Sequence, residues 1–298
     1  MDELIDWSDT TETTEPIPIH LPDLNSSVNT AIDKMIVTGV TMTNLSAEAT
    51  TSPDDITMDQ ASINLFDGEA TGSFTWEVPE PERTMISFNG NLDSLQAAAF
   101  FDEFQVLGEN SNFHEYVSGA FNADVEYYSE LDKFLAPVIE TSTMDGNFGM
   151  TNSRLQGHPI QIKLAALLNA KELNNIGLDK FNSTYSLKNS VFTINDLRMT
   201  SDDIGMELNG TQHMVSGNID YQTKLFLPAR FKKGIASVIS SQAVEALTQE
   251  NGTIMVPLRM TGTQANPTIR PDKEAIAPIV KDYLKDKGKN LLKGLFDN

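Results

Sequence analysis

The sequence predicts a mostly β protein with short helices. Its strands are expected to pair antiparallel, with short helices as lids or edge covers and a C-terminal amphipathic helix. Three observations carry this reading. Apolar residues recur at every second position in many short segments, which marks strands with one buried face. Short polar turns of Asp-Gly, Asn-Gly or Gly-Asn type join these segments, as in antiparallel hairpins. No helical crossover of the kind a parallel sheet needs separates them. The phrase STMDGNFGMTNSRLQG, from Ser142, repeats in kind as FDGEATGSFTWEVP from Phe66, LKNSVFTINDLRM from Leu187 and VSGNIDYQTKLFLP from Val215.

Taken in order, residues 1–22 are acidic and Thr-rich and hold three X-Pro steps, so they read as a disordered linker. A chain opening inside a linker is expected to be a piece of something longer. Alternation begins with Leu24, Ser26, Val28, Thr30 and Ile32 and continues with Val40, Met42 and Asn44. It returns at Phe74, Trp76 and Val78 and at Ile86, Phe88 and Gly90. The Ala-rich SLQAAAFFDEF from Ser94 predicts a helical hairpin running to about Val117. A strand through Phe121, Ala123, Val125 and Tyr127 follows, then a short helix near Leu131–Ile139. His158–Ala170 has helical spacing, with Pro159 near its start where proline is tolerated. Five cleanly alternating strands come next: Phe181–Leu187, Val191–Met199, Ile204–Leu208, Val215–Leu227 and Ile254–Gly262. A helical stretch from Arg230, stopped by Asn-Gly, interrupts them. We divide the chain into the linker, an upstream β-groove repeat with a helical insertion (23–117), a C-terminal β domain (118–271) and a basic amphipathic helix (272–298). In that helix Ile276, Ile279, Val280, Tyr283 and Leu284 recur at i, i+3, i+4 spacing among six lysines. It is suited either to docking on the sheet edge or to lying on an anionic membrane.

Composition narrows the function classes. The 298 residues are 40% hydrophobic with a formal charge of −21, which argues against nucleic acid as a partner. The charge is lopsided: residues 1–150 hold 28 acidic and 3 basic residues, residues 151–298 hold 14 and 18. There is no cysteine, hence no disulfide framework or thiol chemistry. No apolar run is long enough to cross a membrane as a helix, and the N-terminus has no signal-peptide pattern.

Catalytic patterns are missing. His20, His114, His158 and His213 are scattered, without a metal-ligand companion at helical spacing. No nucleophile elbow, P-loop or dinucleotide fingerprint occurs. Asp202–Asp203 is a paired acidic site, but Ser201 before it and Gly205 after it read as a turn. The sequons at Asn25, Asn44, Asn182, Asn209 and Asn251 are what an Asn- and Thr-rich chain gives by chance. Twelve methionines suit an adaptable apolar surface or a core equally. The expectation is a non-enzymatic protein without a cofactor or metal.

The order of phrases between about Ser118 and Arg270 resembles the C-terminal domain of the AsmA family of Gram-negative envelope proteins. It runs from SGAFNADVEYYSELDKFLAPVIE through SDDIGMELNGTQHMVSGNIDYQTKLFLP to VPLRMTGTQANPTIRPD. The last phrase, a strand then TGT-x-x-NP and a further short strand, is the most specific. The stretch from Pro18 to Pro79 is similar to the family's upstream β repeats. The resemblance implies a repeating β-groove, a long, curved antiparallel sheet that forms a hydrophobic groove, tied to the inner membrane by an N-terminal helix and projecting into the periplasm. It also implies a role in phospholipid transport and outer-membrane biogenesis, with phospholipids and membrane proteins at either end as partners. The chain departs from the pattern in lacking the anchor.

The apolar face itself needs a cover. Two acyl chains hold roughly 30 methylenes, so at about 0.8 kcal/mol each their exposure to water costs on the order of 24 kcal/mol. Phe74, Trp76, Phe148, Met150, Tyr185, Met206, Leu208, Tyr221, Leu225, Val256, Leu258 and Met260 are the candidate groove-lining residues. Lys281, Lys285, Lys289 and Lys293 are the candidate membrane- or partner-facing residues. The expected function is a periplasmic lipid-binding segment. The alternatives are a scaffold that captures outer-membrane protein strands at its sheet edges and a closed β-sandwich binding module.

Overall fold

The computed structural model describes residues 21–296 apart from positions 22, 38, 81–82, 105–111 and 179, and side chains as far as Lys287 except at positions 37 and 180. The expected linker, residues 1–22, lies outside them apart from Leu21. Among the described residues fourteen strands form one sheet. They are β1 (Ser26–Val37), β2 (Val40–Thr51), β3 (Asp55–Leu65), β4 (Gly68–Glu80), β5 (Arg83–Gln96), β6 (Val117–Leu131) and β7 (Thr143–Gln156). Then come β8 (Asn175–Leu178), β9 (Lys180–Lys188), β10 (Val191–Ser201), β11 (Ile204–His213), β12 (Asn218–Leu227), β13 (Ile254–Thr263) and β14 (Pro267–Pro271). Neighbours in sequence are neighbours in the sheet, except that the short β8 pairs with β7 off the main path, and every pairing is antiparallel. The sheet is long, curved and open, as expected. It is single, so a two-sheet sandwich is not adopted. Its hydrogen bonding runs unbroken across the expected boundary at residues 117/118, with β5 paired to β6 and β6 to β7.

Curvature has a local cause. In β2, β3, β5, β7 and β10 a single polar residue takes the left-handed conformation: Asn44 (φ 54), Gln60 (φ 49), Ser94 (φ 58), Asn152 (φ 49) and Asp196 (φ 51). The strand register shifts beside each of them. An extra residue of this kind bends its strand and raises the twist. Two of the bulges share a clamp. Asn122 Oδ1 accepts from Ser94 N at 2.9 Å, and Asn209 Oδ1 accepts from Asp196 N at 2.8 Å. The bulge also moves the inward set of side chains by one position. In β2 the buried residues are therefore Val40, then Leu45, Ala47 and Ala49. Simple alternation, which runs through Asn44, misses that step.

The helices are α1 (Ala97–Phe104), α2 (Pro159–Leu168), α3 (Lys232–Ala236), α4 (Ser241–Ala246) and α5 (Lys273–Phe296). They follow β5, β7, β12 and β14. Since strand direction alternates along the sheet, all five lie at the same end of it. Among the described residues the other end carries only strand-to-strand connections, such as the two-residue Asn189–Ser190 turn, both of whose residues have positive φ. The expected helix near Leu131–Ile139 is replaced by an irregular turn. There Asp132 Oδ1 accepts from Phe134 N (2.8 Å) and Ala136 N (2.9 Å), and Leu131 bridges to Pro137. An aspartate bound to the amides that follow it favours a turn over a helix, and Pro137 cannot continue one. Of the expected hairpin after Ser94, α1 forms and a single 3₁₀ turn stands at Phe113–Glu115, with residues 105–111 between them outside the described set.

Candidate functional site

The register places all twelve candidate groove residues on one face of the sheet, the inner one. Trp76 stands opposite Ile56 and Ile86, Phe148 opposite Ala123, Tyr185 opposite Gly146, and Tyr221 opposite both Gly210 and Met260. Their surroundings divide them. Met150, Tyr185, Leu208, Tyr221, Leu225, Val256, Leu258 and Met260 are buried, the last two completely. Phe74, Trp76, Phe148 and Met206 are half-buried.

Helices account for the division. Over β9–β13 the inner face packs against Leu164, Ala165 and Leu168 of α2, Phe231 just before α3, Ile235 of α3, and Ala243, Val244 and Leu247 at α4. That half of the groove is filled by the chain itself. A second, smaller cluster sits under α1, where Phe100 stacks on Phe121 at 4.6 Å between ring centroids. Rings link the two clusters: Phe121 meets Phe148 (6.1 Å), Phe148 meets Phe181 (5.5 Å) and Tyr185 (5.7 Å), and Tyr185 stacks on Phe192 (5.8 Å).

What remains is the inner face of β1–β6 at the end without helices. Ile56 and Met58 of β3, Phe74 and Trp76 of β4, Ile86 and Phe88 of β5 and Tyr127 of β6 are half-buried and belong to neither cluster. Exposure rises toward the edge, to 53% at Val28 and 37% at Ile32 of β1. The indole Nε1 of Trp76 is shielded from solvent and has no hydrogen-bond acceptor among the described residues. Sequence reading found Phe74 and Trp76 but missed their neighbours on β3. Ile56 and Met58 are on-face and the set resumes at Ala61 and Ile63, because the bulge at Gln60 breaks the period.

Glycines let the aromatic rings lie against the backbone. A Cβ on Gly146 would fall 2.0 Å from the Asp124 carbonyl oxygen and 2.9 Å from Tyr185 Oη. Tyr185 Oη donates to that same carbonyl at 3.0 Å across the glycine. Burial pushes the Tyr185 hydroxyl well above the ordinary phenol range, and that of Tyr221 up to about 12, so both are neutral donors.

The outer face is polar. Two shallow cavities of about 340 and 350 Å³ lie over β4–β7, lined by Asn89, Glu126 and Asp145 among others. Glu126 and Asp145 face each other across β6 and β7. Asp203, one of the paired aspartates, is engaged by Arg230, with Nη2 at 2.8 Å from Oδ1. That guanidinium holds the Asp203 carboxyl below its usual range and ties the β10–β11 turn to the segment before α3. His158 caps α2, its Nδ1 accepting from Ile160 N at 3.3 Å, and burial lowers its pKa to about 4. His213 Nδ1 accepts from Ser216 N (3.3 Å), His114 lies 3.6 Å from Asp102, and His20 falls outside the described residues.

The first turns of α5 dock on the chain's own core. Ile276 is buried there, with Ile279 and Val280 packed alongside. Tyr283 Oη donates to Glu245 of α4 (3.1 Å) and Lys287 Nζ approaches the same carboxylate (3.4 Å). Hydrogen bonds from these two groups hold Glu245 below its usual range. Lys281 and Lys285 are exposed, while the side chains of Lys289 and Lys293 lie outside the described residues.

Comparison of the chain with protein-family models, with curated proteins and with solved structures found no match, so the likeness to AsmA-family proteins rests on the phrases quoted above.

Proposed function

We propose that the protein is a non-enzymatic lipid binder that holds phospholipid acyl chains against the uncovered half of its inner face. In this reading it acts in the periplasm of a Gram-negative envelope, contributing to lipid transport and outer-membrane biogenesis, as the AsmA resemblance implies. The observation that supports it most is the gradient of cover. The same apolar face is fully packed by helices over β12–β13 and left half-exposed at Ile56, Met58, Phe74, Trp76, Ile86 and Phe88 of β3–β5. Each methylene withdrawn from water onto such a face contributes about 0.8 kcal/mol. A lengthwise apolar strip needs no specific pocket, in keeping with a site built of side chains and not of a catalytic cluster.

Native mass spectrometry with lipid extraction of the purified chain tests the proposal. Co-purifying phospholipid, lost when Phe74→Glu and Ile86→Glu are introduced together, is the expected result. A lipid-free wild type that also takes up none from mixed micelles contradicts it.

A further inference from the structure

Helix α5 docks on the core with its first half only. Its apolar row at every fourth residue runs Ile276, Val280, Leu284, Gly288, Leu292 and Phe296. A row of this spacing winds around a helix instead of running straight along it, by about 40° at each step. At its start the row is docked: Ile276 is 8% exposed and Val280 packs partly against the core. One step further on, Leu284 is 47% exposed. There the contact with α4 has passed to Tyr283 and Lys287, which meet Glu245. The apolar row therefore leaves the body of the protein at Leu284, and the helix runs on to Phe296, about three more turns. The next row round the helix is Lys281, Lys285, Lys289 and Lys293, and Asp282 and Asp286 stand on the row opposite the apolar one. Lys281 and Lys285 are exposed. From Lys281 to Phe296 there are five lysines and two aspartates, in a chain whose formal charge is −21.

We propose that the second half of α5 lies along the surface of a bilayer that contains anionic phospholipid. The row from Leu284 to Phe296 meets the acyl region there, and the lysine row beside it sits at headgroup level. Both chemistry and charge fit this occupant: an apolar row flanked by lysine binds an anionic interface, and the aspartates stand on the side left in water. The chain's own core does not compete for the row, because the core is met by other positions of the helix. Among the described residues no helix is long and apolar enough to cross a membrane, so α5 rests on the bilayer and does not span it. The inference stands whether or not acyl chains occupy the inner face of the sheet.

Flotation of the full chain with lipid vesicles tests it. Vesicles of phosphatidylcholine mixed with phosphatidylglycerol are expected to carry the protein, and vesicles of phosphatidylcholine alone to carry far less. The Lys285→Gln/Lys289→Gln variant is expected to bind the mixed vesicles about thirtyfold more weakly, and raised salt to weaken binding as well. Leu284→Gln/Leu292→Gln is expected to abolish flotation. Phe74→Glu/Ile86→Glu on the inner face is expected to float like the wild type, which separates this inference from acyl-chain binding by the sheet. The chain has no cysteine, so a single environment-sensitive dye is readily placed. Attached after Leu284→Cys its emission is expected to shift to the blue on mixed vesicles, whereas attached after Asp282→Cys it is not. That pair of labels decides the matter should the glutamine variants fail to fold. No flotation on either vesicle, equal flotation on both that the lysine changes leave untouched, or equal shifts at the two labels overturns the proposal. So does a blue shift that appears without vesicles as protein concentration rises, since α5 then meets a second copy.

Discussion

At Gly146 the backbone of β7 passes so close to β6 that no side chain fits, and the ring of Tyr185 occupies the space a side chain would need. Gly146→Ala is therefore expected to destabilise by about 1–3 kcal/mol, since the new methyl meets a carbonyl oxygen and not a flexible side chain. Tyr185→Phe removes only the hydrogen bond to Asp124, at about 1 kcal/mol. Urea denaturation of the two variants measures both. His158 sets a pH dependence whose sign follows from its lowered pKa. The folded protein resists protonating the ring until about pH 4, while the unfolded chain protonates near 6.5. Its contribution is thus fully present above pH 6.5 and is lost as the pH falls toward 4, by roughly 3 kcal/mol at most. His158→Asn keeps a capping oxygen and removes the titration. Between pH 7 and pH 4.5 the melting temperature of the wild type is expected to fall further than that of the variant.

Among the elements, strands were legible in proportion to how far they run without a bulge. β12 alternates through Ile219, Tyr221, Thr223, Leu225 and Leu227, all buried, and was readable directly. β3 was not, because Gln60 shifts its inward set from Ile56 and Met58 to Ala61, Ile63 and Leu65. The turn at Leu131–Pro137 was misread for a different reason. A local contest between helix spacing and an aspartate bound to the following amides was settled by the aspartate and Pro137. For the candidate site, the alternation at Phe74, Trp76, Leu258 and Met260 identified the face. Which part of it stays open depends on where α2, α3 and α4 dock, and contacts between distant segments leave no local periodicity to read. That division carries its own prediction. Leu258→Ala, fully buried under the helices, is expected to cost about 2–5 kcal/mol. Ile56→Ala on the open face is expected to cost about 1 kcal/mol, and the same denaturant titration separates the two.

For the molecule as a whole, bulged strands bend one antiparallel sheet, helices gather at one of its ends, and its apolar side is packed beneath them and left half-exposed at the far end of β3–β6. The part left open lies within the acidic half of the chain, whose carboxylates stand on polar strand positions and in turns and leave this patch of the inner face to Ile, Met, Phe and Trp. The chain contains two tryptophans, and Trp76 lies on that face. With Trp7→Phe introduced, the remaining indole reports on whatever touches it. Titration with a phospholipid brominated along its acyl chains is the most direct measurement. The account predicts saturable quenching of Trp76 fluorescence that an unbrominated lipid reverses. Emission unchanged by the brominated lipid, in a protein shown by circular dichroism to be folded, contradicts it.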